Sequence, residues 1–459
     1  MRRLWILPWV LASLGLSVAC GAEPALRVGV FNVSATPPLG GPVAYALARS
    51  IQDPLSARGI VLLGAGQPIV LCAVDWIGIG NTGQDEWRSQ LANAAGTTPD
   101  RVTVHTLHQH DGCRCDFRAA ELLAARGLSG QYYDAAFARE VIGRAAQAVT
   151  QALRDARPVT HLGVGQAQVE KVASNRRILG PDGKVKIVRY SKSTKPEAIA
   201  APEGVIDPHL RTISFFQGEQ PLVALSYYAC HPQSYYGKGD VTAEFVGLAR
   251  AQRQKELPGV PQVYFNGAAG NVAAGKYNDG SPEMRVTLTQ RVAAAMRQAW
   301  ENTVRTPIAA SDVQWRVCPV RLPLAEHFSA EALQATLNDP QSTPRQCMSA
   351  ATDLAWVERA LAGRSIDLSC LRLGNAYILH MPGELFVEYQ LAAQAMRPND
   401  TVCMAAYGDY GPSYIGTEIA YSQGGYETSR NASNVAPGSE KVLLRAMREL
   451  LGLPESERH

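Results

Sequence analysis

The stretch Val104-His105-Thr106-Leu107-His108-Gln109-His110-Asp111-Gly112 decides how the rest of the chain reads. Arg101-Val102-Thr103-Val104 alternates like the start of a buried strand, and the run then delivers histidines and an aspartate into a glycine-ended turn. Ligands of α/β proteins sit at such strand ends. His108 and His110 are two apart, so on an extended backbone they point to the same side, close enough for one to bind a metal while the other serves the reaction. Taken alone, the stretch also reads as a polar loop; partners elsewhere decide between the two.

Moving outward, Gly59–Gly64 and Pro68–Val74 form a hairpin pattern ending at Asp75, a carboxylate that either supports a site or caps a helix. Asp85–Ala95 and Tyr132–Ala156 have helical composition. A second hairpin pattern, Arg211–Phe216 with Leu222–Ala229, ends at Cys230-His231-Pro232, and the strand Gln262–Phe265 runs into the small-residue turn Asn266–Asn271, which lets backbone approach a ligand. A third hairpin, Asp367–Leu373 with Ala376–His380, ends at Met381-Pro382-Gly383-Glu384 and opens a helix, so Glu384 sits at a helix N-terminus. Val402–Tyr407 leads into the Tyr- and Gly-rich loop Gly408–Tyr414, with Tyr426-Glu427 beyond it. Phenol groups in such a loop coordinate metal, donate to a developing oxyanion, or simply pack. The polar excursion through Pro202 reads as a surface loop or lid, and the helices near Ala330–Leu337 and Thr352–Leu361 as peripheral. No internal repeat is visible. The fold class that follows is α/β, with a mixed β-sheet core flanked by helices, a metal site at strand ends, and a single large domain over 23–459.

With 459 residues, 46% hydrophobic and 19% charged, the chain has material for a large core, and a net charge of +3 gives no argument for nucleic acid. Met1-Arg2-Arg3, an apolar run to about Ala19 and small residues through Ala22 follow the order of a secretory signal over 1–22, so an exported chain, periplasmic or secreted, is expected. Cys20 allows lipoprotein anchoring, though Ser17 departs from the usual aliphatic residue. The eight remaining cysteines permit up to four disulfides in an oxidising compartment; Cys113 and Cys115 are also readable as thiolate ligands of a structural zinc.

Strand ends therefore offer His108 and His110, His231, Glu384, and Tyr414 with Tyr426. Two histidines and one carboxylate make a hydrolytic zinc set, leaving a position for water whose pKa falls toward neutrality. The order of Ala35-Thr36-Pro37-Pro38-Leu39-Gly40, Asp53-Pro54-Leu55, His108-Gln109-His110-Asp111-Gly112, Asp207-Pro208, His231-Pro232, Gly267–Asn271, Pro382-Gly383-Glu384 and Tyr414 with Tyr426-Glu427 resembles the catalytic domain of the neutral/alkaline, non-lysosomal ceramidases. The resemblance runs from about residue 27 to 430. It implies a zinc-dependent amidohydrolase that cleaves the N-acyl bond of a ceramide-like lipid, with His108, His231, Glu384 and Tyr414 as Zn2+ ligands. It further implies His110 as the acid/base, and Tyr426 and Arg176 as polar groups around the scissile amide, with Arg177 the competitor for the last place. A small N-acyl or lipid substrate and peripheral membrane contact go with it. The pattern departs at Ala273, where the family has a serine, and the tail after Glu427 is too short for the family's immunoglobulin-like domain. Hydrolysis of another N-acyl or ester linkage, or a silent metal-holding binding protein, are the alternatives.

Overall fold

Three apolar hairpins form as expected, and each is extended in the same way. The structure, a computed structural model, describes residues 25–454, so the expected leader and Cys20 lie outside the described residues. In the first sheet β1 (Arg27–Ser34) pairs antiparallel with β2 (Ser56–Gly64), β2 with β3 (Gly66–Val74), and after helix α1 (Asn81–Ala95) strand β4 (Val102–Thr106) returns parallel to β3. Helix α2 (Ala135–Arg154) packs on β1; a Cβ at Gly29 would collide with the Ala152 carbonyl, so only glycine admits the helix there. The short β5 (Arg157–Pro158) closes that edge.

The second sheet repeats the plan. Strands β6 (His161–Gln168), β7 (His209–Gln217) and β8 (Gln220–Tyr228) are antiparallel neighbours, helix α3 (Glu244–Glu256) crosses over, and β9 (Gln262–Asn266) runs parallel to β8. Helix α4 (Pro282–Glu301) follows, and β10 (Val304–Pro307) lies on the far edge against β6. In the third sheet β11 (Val313–Val320) pairs with β12 (Ile366–Leu373) and β12 with β13 (Ala376–His380). Helices α5 (Ala330–Asn338) and α6 (Pro344–Leu361) are inserted between β11 and β12; α7 (Val387–Met396) then crosses from β13 to β14 (Thr401–Ala405), which runs parallel to β13. Helix α8 (Ser439–Leu450) covers β11.

Each sheet thus contains a hairpin, a crossover helix and a parallel return strand. This repetition of topology leaves no trace in the sequence, because the links after the hairpins differ in length and chemistry. The return strands β4 and β9 are buried along their whole lengths and β14 in all but its first residue, as strands covered on both faces must be. Their ends meet: the Thr106 amide donates to the Tyr407 carbonyl at 2.9 Å, the Ala406 amide to the Asn266 carbonyl at 2.9 Å, and the Asn266 side chain to the Leu107 carbonyl at 3.3 Å. These bonds tie all three sheets together beside the segments that carry the expected site residues.

Some sequence expectations need correction. All eight cysteines of the described residues are free thiols and only Cys318 is not buried, so no disulfide forms among them. The segment after Arg176 is a hairpin, Arg177–Leu179 with Val185–Val188, followed by the short helix Pro196–Ala200; it is fastened down by Arg189, buried and donating to the carbonyls of Asn175 and Ala198. Helix α6 is longer than expected and forms part of a wall of the cleft described below. No helix of the described residues is long and apolar enough to cross a membrane.

Candidate metal centre

His108 follows β4 with φ 62°, a left-handed conformation that costs a non-glycine residue on the order of 1–3 kcal/mol and persists where surrounding structure enforces it. Tyr407 and Ser413, also at the site, have φ of 59° and 56°. The His108 Nδ1–H donates to the Ile77 carbonyl at 2.6 Å, which leaves Nε2 as the lone-pair nitrogen. That nitrogen lies 3.1 Å from Glu384 Oε2 and, though buried, has no hydrogen-bond partner.

His231, at the end of β8, is held in the same tautomer: its Nδ1–H donates to the Ala269 carbonyl at 2.6 Å, and its Nε2 lies 2.9 Å from the same Glu384 oxygen. The turn after β9 supplies that carbonyl. A Cβ at Gly270 would collide with the Glu384 carbonyl, so the close approach expected of this turn is made to the Glu384 backbone. Glu384 precedes α7 by two residues and pairs with Tyr414 in a short parallel bridge, so it is held by strand-like contacts and not by a helix end. Its other oxygen, Oε1, accepts from the Tyr410 hydroxyl at 2.7 Å.

Tyr414 places its hydroxyl 3.5 Å from His231 Nε2, and Arg176 Nη1 donates to that hydroxyl at 3.0 Å. Arg176 Nε pairs with Glu427 Oε1 at 3.0 Å, whereas Arg177 turns away to Glu427 Oε2 and the Ala420 carbonyl. Of the two arginines, Arg176 therefore faces the site. Tyr426 is 39% exposed at the mouth, its ring 5.7 Å from that of Tyr414. His110 donates from Nδ1 to the His108 carbonyl at 3.0 Å, stacks on Tyr45, and receives the Gln233 side-chain amide at Nε2.

The donor set fits a divalent metal. His108, His110 and His231 offer ring nitrogens within 4.8 Å of one another, all buried, and Glu384 stands between two of them. With both Nδ1 atoms committed to carbonyls, two imidazole lone pairs and a carboxylate oxygen converge, an arrangement that repels unless a cation lies among them. Two atoms about 2.0–2.2 Å from one ion at the tetrahedral angle lie roughly 3.3–3.6 Å apart; the 2.9 and 3.1 Å found here are a few tenths of an ångström closer, within a small side-chain adjustment of that spacing. Burial works against the charge on Glu384, and only positive charge beside it, on the His108 and His231 imidazoles or on a cation in their place, outweighs burial and holds the carboxyl well below its ordinary range. Burial, reinforced by the neighbouring His108 and His231, pushes His110 well below the usual imidazole value, and burial pushes Tyr414 up. Cys113 and Cys115 take no part in this group.

Sequence reading missed two contributors. Tyr410 lies in the same tyrosine-rich loop as Tyr414, and Gln233 two residues after His231, so both were near a signal. Asp75, which the sequence left as either a supporting carboxylate or a helix cap, lies below the site: Arg250 reaches its two oxygens at 2.7 Å each, and Gln109 donates to its carbonyl at 2.7 Å.

No protein-family profile and no curated protein matches the chain. Among solved structures, the neutral ceramidase from Pseudomonas aeruginosa superposes with a TM-score of 0.64 at 15% identity, over 95% of this chain and 76% of that one. A ceramidase complexed with C2 does so with a TM-score of 0.64 at 16% identity, over 95% and 77%. Over nearly its whole length, then, this chain has the neutral ceramidase fold.

Proposed function

We propose that the protein is a zinc-dependent amidohydrolase that cleaves the N-acyl amide bond of a ceramide-like amphiphile, with His108, His231, Glu384 and Tyr414 holding the ion. The observation that carries this reading is the convergence of two buried imidazole lone pairs on one carboxylate oxygen. Neutral imidazole and a hard oxygen suit zinc, which when bound supplies a Lewis acid and brings water's pKa toward neutrality. The protein's own groups do the rest. His110, neutral with its Nδ1–H on the His108 carbonyl, has its one lone pair at Nε2; once the Gln233 amide gives up that nitrogen to an attacking water, His110 would accept the water's proton and pass it to the leaving amine. Tyr426 stands at the mouth to donate to the developing oxyanion, and Arg176, spent on Glu427 and Tyr414, orients the latter. Because Ala273 replaces a hydroxyl, no serine at that position competes as nucleophile. The exported location expected from residues 1–22 belongs to the same proposal.

The test is release of fatty acid from a panel of N-acyl amides by zinc-loaded protein. Turnover abolished by chelation and restored by zinc is expected. Stoichiometric zinc with no turnover of any amide or ester would instead favour a silent binding protein.

A further inference from the structure

A cleft of about 660 Å³ opens above the histidines, and its outer wall comes from α6 and the segment Arg430–Asn434, parts of the chain that carry none of the proposed ligands. The rim of the cleft is cationic on both sides. Arg114, Arg345 and Arg430 all line the cleft, and among the described residues none of them has a carboxylate within ion-pair distance. Buried and half-buried arginines elsewhere are held by carboxylates, as Arg88 by Asp367, Arg250 by Asp75, Arg285 by Glu244 and Arg359 by Asp85, or by carbonyls, as Arg189; Arg345 and Arg430 are exposed at the cleft and have neither kind of partner. Arg345 also sits in the first turn of α6, where no acidic residue accompanies it and its charge adds to the positive end of the helix. The helix end slightly disfavours an exposed cation there, and a bound anion would offset that cost.

Two further features bear on what the cleft takes. The carboxyl of Asp353 in the same wall has no cation partner, and burial raises it to about 7, so near neutral pH it offsets only part of the charge of the arginines. Apart from tyrosine rings, the apolar lining is only Ile77, Met348 and Ala432, little surface for two long hydrocarbon chains.

We propose, resting on the amidase reading above, that the substrate is an N-acyl amide carrying an anionic group, carboxylate or phosphate, and that Arg345 and Arg430 bind that group at the mouth of the cleft. Guanidinium forks suit both anions, since each accepts two parallel hydrogen bonds. Arg114, whose Nη1 is engaged by the Ala44 carbonyl, adds positive potential from the opposite side.

Calorimetric binding to the full chain tests this with N-octanoylglycine, its neutral methyl ester and a phosphorylated short-chain ceramide as probes. At least one anion should bind tenfold or more tighter than the ester, the tighter of the two assigning the source. That advantage should shrink to about threefold or less in Arg345→Gln/Arg430→Gln and weaken with salt. The double variant also separates the arginines from direct anion binding by a metal, which it leaves intact. Ester binding as tight as both anions, or an anion preference unchanged in the double variant, overturns the proposal. Octanoate release is read separately: anion preference without release refutes the amidase reading and keeps the anion site, whereas release without anion preference does the reverse.

Discussion

Replacing Glu384 by Gln should move the stability of the metal-free and the zinc-bound protein in opposite directions. In the metal-free protein Glu384 Oε2 faces two lone-pair nitrogens at 2.9 and 3.1 Å, and no proton is available to join them. An amide of the same shape turns that contact into one or two hydrogen bonds, each worth about 0.5–1.5 kcal/mol net, so the metal-free variant should gain about 1–2 kcal/mol. For a chain of 459 residues, with an unfolding entropy of about 2.1 cal/mol/K per residue, that is a rise in Tm of roughly 1–2 °C. With zinc the order reverses. A ligand at a thousand times its Kd stabilises the native protein by about 4 kcal/mol, and the variant, lacking the anionic ligand, should lose most of that gain. Thermal unfolding in chelator and in excess zinc reads both effects. A Glu384→Gln protein that is less stable in chelator and still gains the full zinc increment would refute the reasoning, since the carboxylate would then be a structural partner of protonated histidines.

Other perturbations reach the site from different directions. Tyr410→Phe removes the donor to Glu384 Oε1 and should weaken zinc binding about 10- to 100-fold with the fold intact, measured by competition with a chelating dye. Tyr426→Phe should lower kcat by roughly two to three orders of magnitude if its hydroxyl meets the oxyanion, and leave zinc content unchanged. Asp75→Asn leaves Arg250 buried without its carboxylate and should destabilise the protein by about 3–5 kcal/mol in denaturant unfolding. Burial opposes the charge of Asp75, but Arg250 outweighs it and holds the carboxyl below its ordinary value. Its contribution is therefore complete above the unfolded pKa near 3.9 and is lost as pH falls through the lower folded value; acid titration of wild type against Asp75→Asn shows the difference.

Hairpins and strand ends were legible because alternation and turn residues are local, and the histidines announced themselves by spacing. The convergence of His108, His231 and Glu384 was inferred from chain order and the family likeness, since contacts across more than a hundred residues leave no local pattern. The threefold plan of the sheets was invisible for a related reason: topology repeats here without repeating side chains. Arg345 was missed because an exposed arginine on a helix normally faces solvent, and only the packing of α6 over the cleft gives it meaning. Disulfides were expected from compartment and count, yet the buried cysteines are free thiols packed in the core as small apolar residues.

The central claim is that one cation lies among His108, His231 and Glu384. A crystal structure of zinc-loaded protein with anomalous data at the zinc edge tests it most directly. One anomalous peak per chain is expected, about 2.0–2.2 Å from His108 Nε2, His231 Nε2 and a Glu384 oxygen. A peak at Cys113 and Cys115 instead, or none despite saturating zinc, would contradict it.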